Sequence, residues 1–306
     1  MSKIAFIFPG QGAQKVGMGQ DFYENTKIGQ DVFDRASELL GFDMAKLCFE
    51  PNDMLNITEY TQAAMVTTSI AMTKVLVSKG IIPNVTAGLS LGEYCALVSA
   101  GIMSEDDAVK LVRKRGILMQ TAVPLGKGAM AAVLSMDGEK IEEIIAPIEG
   151  VQIANYNCPG QIVISGKTAA VESAAQALKA AGAKRVLMLN VSGPFHSDML
   201  KEAGRELLIA LEEVEVKKPK IPYVSNVTAQ YVTDERIVKE LLGKQVYSSV
   251  KWEQSVRTML EDGVDTFIEI GPGKTLAGFI KKITKDVMVF NIEKIEDIDV
   301  VVEAVK

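Results

Sequence analysis

A serine between two glycines joins a predicted strand to a predicted helix. The β-prone run 85–87 leads into Gly88-Leu89-Ser90-Leu91-Gly92, and an apolar helical stretch follows at 94–100. G-x-S-x-G in this context is typical of a nucleophile elbow, although glycine-rich turns that contain serine are also common in loops. Larger residues at the two glycines would collide with the adjoining strand and helix. The pattern predicts an α/β fold in which Ser90 is a nucleophile and the N–H of Leu91 faces a developing oxyanion.

The amino-terminal segment predicts a neighbouring strand of the same sheet. Residues 4–8 form a continuous apolar run, which is typical of a buried parallel strand, and the loop 9–14 follows it. This loop is either a simple strand-to-helix connection or the source of a second oxyanion donor, the backbone N–H of Gln11. Sites in α/β proteins gather at the carboxyl ends of the strands, where this loop lies.

One arginine interrupts the apolar stripe of a predicted helix. Ser104 is a candidate N-cap, and acidic residues follow it in the first turn. The predicted stripe contains Ala108, Leu111, Val112, Leu118, Met119 and Ala122, with Arg115 on the same face. An inward guanidinium needs a partner, because an isolated buried charge costs several kcal/mol. That partner is either a carboxylate of the protein or a carboxylate of the substrate, and the spacing leaves both open.

The middle of the chain changes pattern and predicts an inserted unit. Strands are expected at 129–135, 151–156, 161–165 and 185–189, with helices at 138–146 and 169–181. This β-α-β-β-α-β order is ferredoxin-like. We therefore predict an inserted ferredoxin-like α+β domain at 124–189 and a larger α/β-hydrolase-like domain with a parallel sheet at 1–123 and 190–306. The cleft between them is expected beside Ser90.

The chain contains a single histidine, His196, in a loop beside the predicted domain junction. A lone histidine is more often a structural hydrogen-bonding residue, but here it is the one imidazole that could serve Ser90 as a base. A serine with a histidine base predicts acyl transfer through a covalent intermediate. The acceptor is either water, as in a serine thioesterase or esterase, or a second thiol or alcohol. A non-catalytic scaffold is the third hypothesis.

Composition narrows the possible partners. The 306 residues carry a net charge of −6, which argues against non-specific nucleic-acid binding. No signal peptide and no uncharged apolar run of membrane-spanning length is expected. Cys48, Cys95 and Cys158 are widely spaced, so we predict reduced thiols in a cytoplasmic protein without a metal site. The segment 271–275 lacks the first glycine of a phosphate loop, because position 268 is isoleucine.

Several motifs occur in an order that matches one family. They are Phe8-Pro9-Gly10-Gln11-Gly12, Gly88-Leu89-Ser90-Leu91-Gly92-Glu93-Tyr94, Arg113-Lys114-Arg115-Gly116, Asn155-Tyr156-Asn157-Cys158-Pro159-Gly160-Gln161, Gly193-Pro194-Phe195-His196-Ser197, Gln245 and Glu269-Ile270-Gly271-Pro272-Gly273. Over nearly its whole length the chain resembles the malonyl-CoA:acyl-carrier-protein transacylases of bacterial type II fatty acid synthesis.

The resemblance implies a role for each site residue. Ser90 becomes malonylated, His196 is the base, and the main-chain carbonyl of Gln245 orients the imidazole. The backbone amides of Gln11 and Leu91 form the oxyanion hole. The substrate-binding residues are Arg115, which binds the malonyl carboxylate, together with Asn155 and Asn157.

The same resemblance implies the reaction partners. A ping-pong cycle moves malonyl from malonyl-CoA to the phosphopantetheine thiol of acyl carrier protein, and both of these molecules are substrates. We accordingly expect no cofactor, no nucleic-acid or membrane partner, and a monomer.

Overall fold

The computed structural model describes residues 2–305 and contains a six-stranded sheet of α/β type. Its strands are β1 (Ile4–Phe8), β2 (Val85–Gly88), β7 (Tyr223–Val224), β8 (Tyr231–Val232), β9 (Thr266–Ile270) and β10 (Met288–Ile292). They lie in the order β10-β9-β1-β2-β7-β8, and every pair is parallel except β7 with β8. Strands β1, β2 and β9 are fully buried, and for β1 the continuous apolar run predicts this. The predicted α/β class with a parallel sheet is confirmed.

A second sheet is antiparallel and has four strands. They are β3 (Gly128–Leu134), β4 (Val151–Cys158), β5 (Gln161–Lys167) and β6 (Arg185–Met188), in the order β4-β5-β3-β6. Helices α7 (Gly138–Ile145) and α8 (Thr168–Ala180) give the segment its predicted β-α-β-β-α-β order. The two helices pack on one face of this sheet through a separate apolar cluster that includes Val133, Ile164 and Leu178.

The other helices surround the six-stranded sheet. They are α1 (Gln20–Asn25), α2 (Lys27–Leu40), α3 (Met44–Phe49), α4 (Thr58–Ser78), α5 (Gly92–Ser99), α6 (Glu105–Thr121), α9 (Lys201–Glu212), α10 (Val238–Gln245), α11 (Trp252–Glu261), α12 (Thr275–Ile283) and α13 (Ile295–Val305). Helix α4 is buried over most of its length and packs against α2 and α6. Within residues 2–305, no helix combines the length and apolar character that crossing a membrane requires.

Helix α6 begins where it was predicted, and most of the residues on its predicted stripe are buried. The Ser104 hydroxyl accepts a hydrogen bond from the Asp107 N–H at 3.0 Å, so Ser104 is the N-cap. Arg115 is buried, with 1% of its surface exposed. Ala122 is exposed, contrary to its predicted place on the buried stripe, because the helix ends at Thr121 and the helical spacing does not continue past that residue.

The topology brings the two predicted oxyanion segments to one edge of the sheet. Strands β1 and β2 are adjacent and parallel, with Phe8 paired to Gly88 at their carboxyl ends. The loop with Gln11 follows the first strand, and Ser90 follows the second. The antiparallel sheet is tied to this region by a hydrogen bond from the Tyr156 N–H to the Val250 carbonyl, 2.9 Å long.

Candidate active site

The turn at Ser90 has the tight geometry that the two glycines predict. Ser90 has φ of 51°, in the left-handed region that non-glycine residues seldom adopt. A Cβ on Gly88 would lie 2.0 Å from the carbonyl carbon of Gly92, and a Cβ on Gly92 would lie 2.2 Å from the carbonyl oxygen of Phe8. A larger residue at Gly88 would therefore force β2 away from α5, and one at Gly92 would force α5 away from β1.

Ser90 and His196 meet in one site. The Ser90 Oγ lies 2.7 Å from His196 Nε2, and His196 Nδ1 lies 2.8 Å from the main-chain carbonyl of Gln245. A carbonyl oxygen only accepts hydrogen bonds, so Nδ1 carries the proton and Nε2 is left as an acceptor for the serine hydroxyl. The imidazole is thus held in the tautomer that a general base for Ser90 needs.

The protonation state of His196 suits the same role. Burial, reinforced by the positive charge of Arg115, lowers the pKa of His196 to about 4. The ring is therefore neutral at pH 7 and able to accept a proton.

Arg115 points into the same site, and its contacts bear on the two partners left open above. Its Nη1 donates to Gln62 Oε1 at 2.9 Å, and its Nη2 donates to Ser90 Oγ at 3.0 Å and to Gln245 Oε1 at 2.9 Å. Burial lowers the pKa of the guanidinium, and the Tyr94 ring lies 5.5 Å from Cζ. Arg115 forms no salt bridge with a carboxylate of residues 2–305. A cation held by neutral amides beside the nucleophile favours a carboxylate that the substrate supplies.

Among residues 2–305, two backbone N–H groups near Ser90, those of Gln11 and Leu91, are free to act as donors. Gln11 and Leu91 follow the carboxyl ends of β1 and β2, and Leu91 precedes the first turn of α5. The N–H groups of both residues donate to no acceptor within the described part of the chain. The Leu91 N–H at the start of α5 is of the kind that helix amino termini offer to an oxyanion, and the Gln11 N–H, in the turn after β1, is a second backbone donor.

A cleft of about 790 Å³ that runs between the two sheets is lined by Ser90, His196, Arg115 and Gln11. Asn155 and Asn157 line it from strand β4. The register of β4 against β5 shifts next to Asn155 and again between Tyr156 and Cys158. Bulges of this kind redirect side chains near sites. Asn157 is buried, and its Oδ1 accepts no hydrogen bond from residues 2–305.

Three further residues of the site escaped the sequence analysis. Gln62, on α4, accepts a hydrogen bond from Arg115. Asn226, two residues after the end of β7, accepts a hydrogen bond from the Ser90 N–H at 2.6 Å. Glu93 accepts a hydrogen bond from the Gln245 side chain, also at 2.6 Å. Gln62 and Glu93 are polar residues within apolar stretches, and this is the one local signal that could have marked them as site residues. Their partners lie 53 and 152 positions away in sequence, which no local pattern can reveal.

Two other kinds of site, for a metal ion and for a nucleotide phosphate, were considered in the sequence. Within residues 2–305, no group of three or more His, Cys, Asp or Glu side chains is arranged to hold a metal. At the glycine-rich segment before α12, the Glu269 carboxylate accepts hydrogen bonds from the Leu276 and Ala277 N–H groups at 3.0 and 2.8 Å. This helix start is occupied by the protein's own carboxylate, which agrees with the prediction that it is not a phosphate loop.

The comparison with known proteins assigns the family. The family model described as the acyl transferase domain matches residues 5–302. This chain belongs to the acyl transferase family. A malonyl CoA-acyl carrier protein transacylase from Bacillus subtilis (strain 168) is 46% identical over 311 residues, which cover 100% of this chain and 98% of the relative. The resemblance inferred from the motifs is confirmed.

Solved structures of acyl transferases agree with this assignment. The malonyl CoA-acyl carrier protein transacylase from Clostridium perfringens superimposes with a TM-score of 0.96 at 45% identity, covering 99% of this chain and 97% of that one. A second structure contains a type II PKS acyl-carrier protein in complex with its malonyl-transacylase. It matches with a TM-score of 0.96 at 38% identity and covers 99% of this chain and 100% of that one.

Proposed function

We propose that this chain moves a malonyl group from malonyl-CoA to the phosphopantetheine thiol of acyl carrier protein through a malonyl-Ser90 intermediate. The observation that carries the proposal is the position of Ser90 Oγ, 2.7 Å from His196 Nε2 and 3.0 Å from Arg115 Nη2. The nucleophile thus has a base and a carboxylate-binding cation as immediate neighbours. The names of the family relatives support the same activity.

The short distance between Arg115 and Ser90 explains why malonyl is the best-fitting acyl group. In malonyl a single methylene separates the carboxylate carbon from the thioester carbon. A cation that binds the carboxylate must therefore lie next to the nucleophile, as Arg115 does. Longer diacids would place their carboxylate beyond the guanidinium, and acetyl would leave this buried cation without a partner.

Each half of the proposed ping-pong cycle uses the same groups. Ser90 Oγ attacks the thioester carbon while His196 Nε2 takes its proton, and the backbone N–H groups of Gln11 and Leu91 stabilise the oxyanion. The C–S bond breaks, and the CoA thiolate leaves with the proton from His196. The carrier thiol then gives its proton to His196 and attacks the malonyl ester, the ester C–O bond breaks, and Ser90 Oγ leaves with the proton from His196. Asn155 and Asn157 are proposed to bind the arm of the thioester from strand β4.

A serine thioesterase or esterase is less well supported. Hydrolases of the α/β type use an acidic side chain to orient the histidine. Here His196 Nδ1 donates to a neutral main-chain carbonyl, that of Gln245. A hydrolase also has no need for a buried guanidinium beside its nucleophile.

The chain is proposed to fold into two domains of different type. We assign residues 1–123 and 190–306 to an α/β-hydrolase-like domain and residues 124–189 to an inserted ferredoxin-like domain. The β4-β5-β3-β6 order with both helices on one face supports the second assignment. The cleft between the two sheets is then the entry route for the thioester arm.

The partners follow from the cycle. A related structure that contains an acyl-carrier protein supports a carrier protein as the acceptor. One copy of the chain supplies the base, the cation and the oxyanion donors, so we expect a monomer to suffice. Every step uses the chain's own groups, and the proposed cycle therefore needs no added cofactor.

A transfer assay tests the proposal against hydrolysis. With malonyl-CoA and holo acyl carrier protein, we expect malonyl to appear on the carrier at least about 100-fold faster than free malonate appears without it. The measurement is mass analysis of the carrier together with chromatography of malonate. Malonate release at the same rate with and without the carrier would identify a thioesterase instead.

A further inference from the structure

Glu93 is a fully buried acid that the proposed cycle does not use. It lies in the first turn of α5, three residues after Ser90, and none of its surface is exposed. An acid at a helix start stabilises the helix dipole, but that role is fulfilled equally well at the surface. Burying a carboxyl group is costly, and here burial raises its pKa to about 7. Stabilisation of the helix dipole therefore does not explain why Glu93 is buried.

One oxygen of Glu93 contacts both residues that hold the Ser90 backbone. Its Oε2 accepts hydrogen bonds from Gln245 Nε2 at 2.6 Å and from the Asn226 N–H at 3.4 Å. Asn226 Oδ1 in turn accepts from the Ser90 N–H at 2.6 Å, and Gln245 Nε2 donates to the Ser90 carbonyl at 2.9 Å. The side chains of Asn226 and Gln245 thus hold the N–H and the carbonyl of Ser90. Glu93 Oε2 in turn accepts a hydrogen bond from each of these two residues.

Gln245 extends this connection to the other two functional side chains. Its main-chain carbonyl lies 2.8 Å from His196 Nδ1, and its Oε1 accepts from Arg115 Nη2 at 2.9 Å. The Gln245 amide has two possible orientations, and they exchange its donor for its acceptor. An acceptor at Glu93 Oε2 selects the orientation in which Nε2 faces Ser90 and Oε1 faces Arg115.

We propose that Glu93 is a positioning residue that aligns Ser90, His196 and Arg115 by anchoring Gln245 and Asn226 through Oε2. The inference rests on the proposed role of Ser90 as nucleophile. It requires an acceptor oxygen at this place and does not require a negative charge. A neutral carboxyl group with its proton on Oε1 presents the same acceptor, and Oε1 accepts no hydrogen bond from residues 2–305.

Three substitutions of Glu93 distinguish the effect of its acceptor oxygen from the effects of its charge and of its volume. Glu93→Gln keeps the acceptor and removes the charge, Glu93→Asp keeps the charge but withdraws the oxygen by one methylene, and Glu93→Leu keeps only the approximate volume. The measurement is the rate at which phenylmethylsulfonyl fluoride labels Ser90, followed by mass. We expect the glutamine variant to label within about threefold of the wild type. The aspartate and leucine variants should label about 100-fold more slowly, because displacements near 1 Å cost that much.

A matched control lies elsewhere in the core. Glu269 is also fully buried, and it caps α12 without contacting Ser90. Glu269→Asp is expected to lower the melting temperature and leave the labelling rate within about threefold of the wild type. If it slows labelling as much as Glu93→Asp does, general loosening of the core explains both and the proposal fails.

The remaining outcomes are also decisive. A folded aspartate or leucine variant that labels as fast as the wild type overturns the proposal, and so does a glutamine variant as slow as the leucine one. If the leucine variant does not fold, the glutamine and aspartate pair decides. Parallel incubation with malonyl-CoA separates this inference from the proposed function. A wild-type protein that reacts with the sulfonyl fluoride but not with malonyl-CoA would refute the malonyl transfer alone.

Discussion

His196→Ala is expected to slow the acylation of Ser90 by malonyl-CoA by about 10²–10⁴-fold, the usual contribution of a general base. The structure gives the reason, since the Ser90 hydroxyl lies 2.7 Å from Nε2 of this residue. Binding of CoA is expected to change little, because the loss falls on proton transfer. Rapid-quench measurement of the acyl-enzyme gives the rate, and calorimetry with CoA gives the affinity. A variant that acylates within threefold of the wild type would refute the role of the imidazole.

The pH dependence of the same rate provides an internal control. The pKa of His196 is lowered to about 4, so the wild-type rate is expected to fall as the pH is lowered through that value, where the ring becomes protonated. Brief pH jumps avoid holding the protein in acid. The slow residual rate of the alanine variant should lack this transition. A transition that persists in the variant would have to come from another group.

Arg115→Ala is expected to remove the preference for malonyl-CoA over acetyl-CoA. The lost charge-assisted pair is worth about 2–5 kcal/mol, so the ratio of the two kcat/KM values should fall by tens- to thousands-fold. The change arises because Arg115 Nη2, 3.0 Å from Ser90 Oγ, is the cation placed to bind the malonyl carboxylate. Parallel assays with the two thioesters measure the ratio directly.

Arg113→Ala is the matched control on the same helix. Arg113 lies over the Phe42 ring and 3.6 Å from a Glu59 oxygen, and it does not line the cleft. Its removal is expected to leave the thioester preference unchanged. Equal loss of preference in both variants would show that damage to helix α6, and not a lost carboxylate contact, is responsible.

Elements with strong local signals could be predicted closely. Strand β1 has the predicted bounds because it is buried on both faces and is an unbroken apolar run. The start of α6 was predictable from the Ser104 cap. Helix α1 was missed because it has only six residues, too few for a periodic pattern, and its N-cap position is a left-handed Gly19 without a side-chain cap.

The site itself was predictable only in part. Ser90 has a local signal, the strand–turn–helix context, and the single histidine identified its partner by elimination. The supporting residues have no such signal. Asn226 and Gln245 reach Ser90 from 136 and 155 positions away, through contacts that only the folded sheet creates. Likewise, no sequence pattern indicated that two amides, those of Gln62 and Gln245, hold the Arg115 guanidinium.

The most direct test of the central claim is the mass of the protein after brief incubation with malonyl-CoA. The account predicts a single malonyl adduct on the peptide that contains Ser90, lost on addition of holo acyl carrier protein and absent from Ser90→Ala. An adduct on any other side chain, or none while malonyl still reaches the carrier, would contradict it.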